Sequence, residues 1–186
     1  MSLSAPVARR PIHHREISLK GYEREDGMFD IEGHLVDTKS YSFPNKDRGE
    51  IKAGEPIHNM FIRLTVDDQL CVRHVECSIV DSPFKVCPNI TPAFKVLEGI
   101  TIGPGWNKNV RSKLGGVKGC THLVEMLSPL ATATYQTVFA TLSRRNTSLR
   151  EEDRDKPSQL NGCHAMDSRS DHVKERWPEY FIQNDS

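Results

Sequence analysis

Residues 54–68 read GEPIHNMFIRLTVDD. Beyond Pro56 the side chains alternate, Ile62, Leu64 and Val66 against Phe61, Arg63 and Thr65, until Asp67-Asp68 supplies a turn. A period of two marks a half-buried strand. The following run, about residues 69–80, keeps Leu70 and Val72 in one phase and Val75, Cys77 and Ile79 in the other. The two runs therefore read as a hairpin with a bulge or twist near Arg73 and His74. His58 stands at the threshold of the first strand, in a Gly-x-Pro-x-His turn, where a side chain projects from the rim of a sheet.

Toward the N-terminus, MFDIEGHLVDT (28–38) alternates Phe29, Ile31 and Leu35 against Asp30, Glu32 and His34, a further strand with Gly33 expected to mark a bulge. Between the two, residues 39–56 are polar and broken by Pro and Gly, the composition of a long loop. Toward the C-terminus, NITPAFKVLEGITI (89–102) predicts a short helix stopped at Gly99, and Trp106 to Leu114 a second, closed by two glycines. From Thr121 to about Leu142 the apolar positions follow a helical period, with a kink or break expected at Pro129, which has no N–H to donate. Strands followed by helices predict an α+β domain, a small antiparallel three-stranded sheet covered by C-terminal helices. The expected organisation is a flexible arm over 1–15, one domain over 16–142, a charged linker over 143–162, and a segment over 163–186 that docks through Trp177, Tyr180 and Phe181.

Lys plus Arg number 25 and Asp plus Glu 25, so the 186-residue chain carries no electrostatic footprint for nucleic acid or an anionic membrane. Its apolar runs fall far short of the ~20 residues that span a bilayer, and the proline-broken polar start is no signal peptide. A cytoplasmic location is expected. Five widely spaced cysteines then read as free thiols rather than a disulfide framework.

Of these thiols Cys120 is the most informative. Three glycines precede it and a strong helical period follows, which places it at a helix N-terminus, where a thiolate is stabilised. His122 follows two residues later and shares a target with Cys120 only if the cysteine is still in the non-helical cap. Cys87 precedes Pro88 near another helix start, in the extended geometry of a residue projecting from a loop. A buried cysteine and a solvated histidine are the plain alternatives for each. Cys71 and Cys77 read as strand positions, His34 as part of a solvated strand face, and Cys163 with His164 as a remote second pair. No Gly-rich phosphate loop, Gly-x-Ser-x-Gly elbow or His-Glu-x-x-His helix is present.

The order of GEPIHNM, FIRLTVDD, the return through FKVC, FKVLEGIT and GVKGCTHLVEML resembles the IscU and NifU N-terminal (SufE/NifU-like) scaffolds of iron-sulfur cluster assembly across residues 54–130. That resemblance puts His58 at the position of the family's first cysteine, Cys87 at its second and Cys120 at its third, while Met60 and Gly119 stand where the family has Asp and His. Two thiols with histidines suit zinc or mononuclear iron better than a cluster, which wants more thiolate. Nearly the whole chain, including "CPNITPAF" and "GPGWNKNVRSKLGGVKGCTHL", also resembles a bacterial family known only as a domain of unknown function, DUF2889, which implies no activity. The expected site is a zinc or iron centre of His58, Cys87, Cys120 and His122, structural if four ligands engage and catalytic if one position stays open. Two alternatives remain: a metal-free thiol enzyme with Cys120 as nucleophile and His122 or His58 as base, and a non-catalytic accessory protein. Whether the partner is a small molecule, another protein or a second copy of the chain is left open.

Overall fold

The computed structural model describes residues 3–145 and 160–183. The chain divides into two compact units, Met1–Leu142 and Ser143–Ser186. In the first unit four long strands, β1 (His13–Glu23), β2 (Phe29–Lys39), β3 (Pro56–Val66) and β4 (Val72–Asp81), form one antiparallel sheet in that order. The sheet thus has four strands where the sequence reading gave three. The missing one is β1, which begins inside the expected arm. Its sequence HHREISLKGYE has only Ile17 and Leu19 as periodic apolar side chains, too few to announce a strand. Within the expected long loop, Phe43–Asn45 and Gly49–Ile51 pair as a small separate hairpin. Asn45 Oδ1 accepts the amides of Asp47 and Arg48, and Gly49 takes the positive φ that closes the turn.

The β3–β4 hairpin is bulged near Arg73, as its phase change predicted: Thr65 faces His74 but Val66 faces Val72, leaving Arg73 unmatched. Gly33 is no bulge. It pairs in unbroken register on both sides, and a Cβ there would press to 3.2 Å of Ile62 Cγ2 and 3.3 Å of Met126 Sδ. A side chain there would crowd Ile62 of the next strand and Met126 of the helix that lies over the centre of the sheet.

That helix, α2 (Thr121–Arg145), follows α1 (Trp106–Leu114) and an irregular 3₁₀ stretch, Cys87–Leu97. Helix α2 runs without a break through Pro129. Phe29, Ile31 and Leu35 of β2 and Met60, Ile62 and Leu64 of β3 are fully buried with Met126, Leu127 and Leu130 of α2. Burying side chains of this size contributes about 1.5–3 kcal/mol each. The opposite phase of the sheet is polar and open, with Glu32, Arg63 and Glu76 in a row of ion pairs.

The second unit, as far as it is described, holds a short helix α3 (Asp171–Arg176) between two 3₁₀ turns, His164–Met166 and Pro178–Tyr180. Ser170 caps α3 by accepting the Val173 amide. Residues 146–159, most of the expected charged linker, lie outside the described residues.

Candidate functional site

Strand β2 presents Phe29, Ile31, Gly33 and Leu35 to the helices, and the next side chain in that phase is Asp37. A carboxylate in an apolar row is costly to bury unless it is paired. Asp37 is 2% exposed and every acceptor position is used. It pairs across the sheet with Arg15 of β1 on one side and His58 of β3 on the other. Arg15 grips it bidentately, Nε to Oδ1 at 2.8 Å and Nη2 to Oδ2 at 2.7 Å. His58 Nδ1 lies 2.8 Å from Oδ2, and His13 Nε2 3.1 Å from Oδ1. An ionised carboxylate only accepts, so Nδ1 of His58 carries the proton and its Nε2 is left with a lone pair.

The pairing of β3 with both neighbours is bulged at this end. Ile57 is the extra residue facing β2, and Val80 the extra residue facing β3 from β4. Bulges of this kind re-aim side chains at the rim of a sheet. The first turn of α2 closes over the row. The His122 ring lies against that of His58, centroids 3.8 Å apart and planes tilted by 34°, and Glu125 accepts from Arg15 Nη1 at 2.5 Å. Cys120, just ahead of the helix, places Sγ 3.9 Å from His122 Nδ1 and 4.0 Å from Met60 Sδ.

Burial opposes ionisation of Asp37, but the hydrogen bonds from Arg15 and His58 outweigh it and hold the carboxyl well below the usual carboxylate range. Burial also pushes the His58 imidazole down, against the pull of Asp37. His122 is lowered by burial and then by its neighbour His58. Two neutral imidazoles therefore sit side by side next to one carboxylate. Burial raises the Cys77 thiol to about 12, with Cys120 adding to the effect, so Cys77 is inert near neutrality.

Asp37, His58 and His122 each offer a ligand atom within 4.8 Å of the others, the one such group among the described residues. Of the four residues singled out in the sequence, His58 and His122 are in this group and Cys120 lies at its edge. Cys87 opens the 3₁₀ stretch and packs against the hydrophobic core. Asp37 and Arg15 escaped the sequence reading. The signal was the phase: Asp37 continues the row Phe29, Ile31, Leu35, and Arg15 the row Ile17, Leu19. A groove of about 440 Å³ opens on the other face of the sheet, beside Lys20, His34, Phe61 and Arg63, away from this cluster.

The family described as "Protein of unknown function (DUF2889)" matches residues 13–136, from the first residue of β1 into α2, and so includes every side chain of the cluster. No curated protein and no solved structure matches the chain.

Proposed function

We propose that this chain, which belongs to the DUF2889 family of proteins of unknown function, holds one zinc or ferrous ion at Asp37, His58 and His122. The observation that carries this reading is the mutual approach of three ligand atoms to within 4.8 Å, with both imidazoles held in the neutral, ligating form. His58 Nδ1 and Asp37 Oδ2 lie 2.8 Å apart across a proton, so an ion held by both would spread them as it entered. The ion takes the place of the Nδ1 proton, and Arg15 keeps the carboxylate in position. Two histidines and one carboxylate leave coordination positions open, the arrangement of metal centres that polarise a substrate or activate a bound water. An iron-sulfur cluster is poorly served by this donor set.

Metal titration of purified protein, zinc in air and ferrous iron under anaerobic conditions, tests the reading. About one equivalent should bind to the wild type and be lost in His58→Ala and His122→Ala, both still folded by circular dichroism. Affinity should fall as the pH drops through the imidazole range, because protons compete for the same nitrogens. Wild-type protein that takes up neither metal sinks the proposal. Metal retained in Cys87→Ala and Cys120→Ala supports the three-ligand set, whereas loss in either brings a thiolate into it.

The 3.9 Å approach of Cys120 Sγ to His122 Nδ1 favours a second reading, a metal-free thiol nucleophile with His122 as its base. Alkylation of Cys120 by iodoacetamide should then be rapid below pH 7 and slow at least tenfold in His122→Ala. A wild-type rate that rises only above pH 8 excludes this reading.

A further inference from the structure

Strand β1 is the outermost strand of the sheet, eleven residues long, and among the described residues β2 is its one strand partner. The opposite edge is covered at its start, where Val72 of β4 bonds to Gly99 and Ile100 and Cys71 bridges to Thr101. An uncovered edge of this length is a template for another strand.

An antiparallel copy of β1 centred on Ser18 keeps the helices of both copies on one side of the joined sheet, because facing residues then share a phase. In that register Glu16 faces Lys20 of the other copy and Lys20 faces its Glu16, two opposite-charge cross-strand pairs on the open face. On the helix face, Ile17 meets Leu19 twice, and both are partly buried side chains packed on the core. Arg15, which grips Asp37, meets Gly21, so the added strand does not crowd the metal-binding row. Moving the centre by one residue in either direction removes both charge pairs: Glu16 then faces Ser18 or Tyr22. Glu16 and Lys20 are exposed and form no ion pair among the described residues, so both are available to a facing strand.

We infer that two copies of this chain join through β1, in antiparallel register about Ser18, to form a continuous eight-stranded sheet. The inference is independent of the metal reading, since neither Glu16 nor Lys20 touches Asp37, His58 or His122.

Sedimentation velocity on the full chain, with unfolding curves as a control for folding, tests it. The wild type should be a dimer at micromolar concentration. Glu16→Lys and Lys20→Glu, each of which sets like charges opposite each other twice, should weaken the dimer at least tenfold. The double variant Glu16→Lys/Lys20→Glu should restore it. Ser18→Cys should cross-link two copies under mild oxidation, to an extent well above the wild type with its native thiols. A wild type that stays monomeric at ~100 µM overturns the inference, as does a double variant no stronger than the singles or an absence of Ser18→Cys cross-linking. Metal stoichiometry measured on the same charge variants should not change, which keeps the two proposals separable.

Discussion

Asp37→Ala should cost about 3–5 kcal/mol of folding stability, read as a shift in the midpoint of urea unfolding. The carboxylate is 2% exposed and accepts from Arg15, His58 and His13 at once. Removing it leaves the guanidinium without its bidentate partner and the largely covered His58 without its acceptor, while His13, 41% exposed, can turn to water. A change this large is a substantial share of the 5–15 kcal/mol that holds a typical domain together. Asp37→Asn keeps the volume and one acceptor oxygen, so it should recover only part of the loss. The pH dependence follows with a definite sign. Because the carboxyl of Asp37 ionises below its ordinary range in the fold, its contribution is complete above about pH 4 and is lost as the pH falls further. His58 and His122 act at a higher pH. Both are lowered in the fold, so the unfolded chain takes up protons first, and stability should decline as the pH falls through about 6.5. Two separate acid steps are expected in the wild type, and the lower one should be missing from Asp37→Asn. A single step unaffected by that substitution would count against the assignment.

Trp106→Ala should be comparably damaging, by about 3–5 kcal/mol in thermal or urea unfolding. The indole is 3% exposed in the first turn of α1, and its Nε1 donates to the Leu127 carbonyl of α2 at 2.9 Å. Truncation removes a large buried ring and a buried hydrogen bond together. Trp106→Phe separates the two contributions. It retains most of the apolar volume and loses the donor, so it should cost about 1–2 kcal/mol, nearer the value of one hydrogen bond. Equal losses in both variants would mean that the N–H, not the ring, ties the helices together.

Much of the frame is legible in the residues. The hairpin around Asp67-Asp68 and the strand from Phe29 show their alternation openly, and α1 and α2 carry a clear helical period. The strand β1 is hidden because an edge strand with one half-covered face needs few apolar side chains, and most of its positions are charged or histidine. The site was half visible. His58 stood out through its place before a strand, and His122 through its place at a helix start. Asp37 drew no attention in the sequence, where an aspartate near the end of a strand looks like any solvated polar residue unless its phase is followed. Arg15 lay in a stretch taken for an arm. Which of these side chains meet depends on register, and register is set by the bulges at Ile57 of β3 and Val80 of β4, of which neighbouring sequence gives no sign.

The proline within α2 bears on how this centre behaves over time. Lacking an amide hydrogen, Pro129 leaves the Glu125 carbonyl without its intrahelical donor, so the opening turns are fastened less firmly to the remainder of the rod. Their anchorage comes from outside the helix, through Arg15 to Glu125 and Trp106 to Leu127. Amide protons of residues 123–128 should therefore exchange with solvent sooner than those of the second half, and an ion seated between His58 and His122 would slow them by acting as a third rivet.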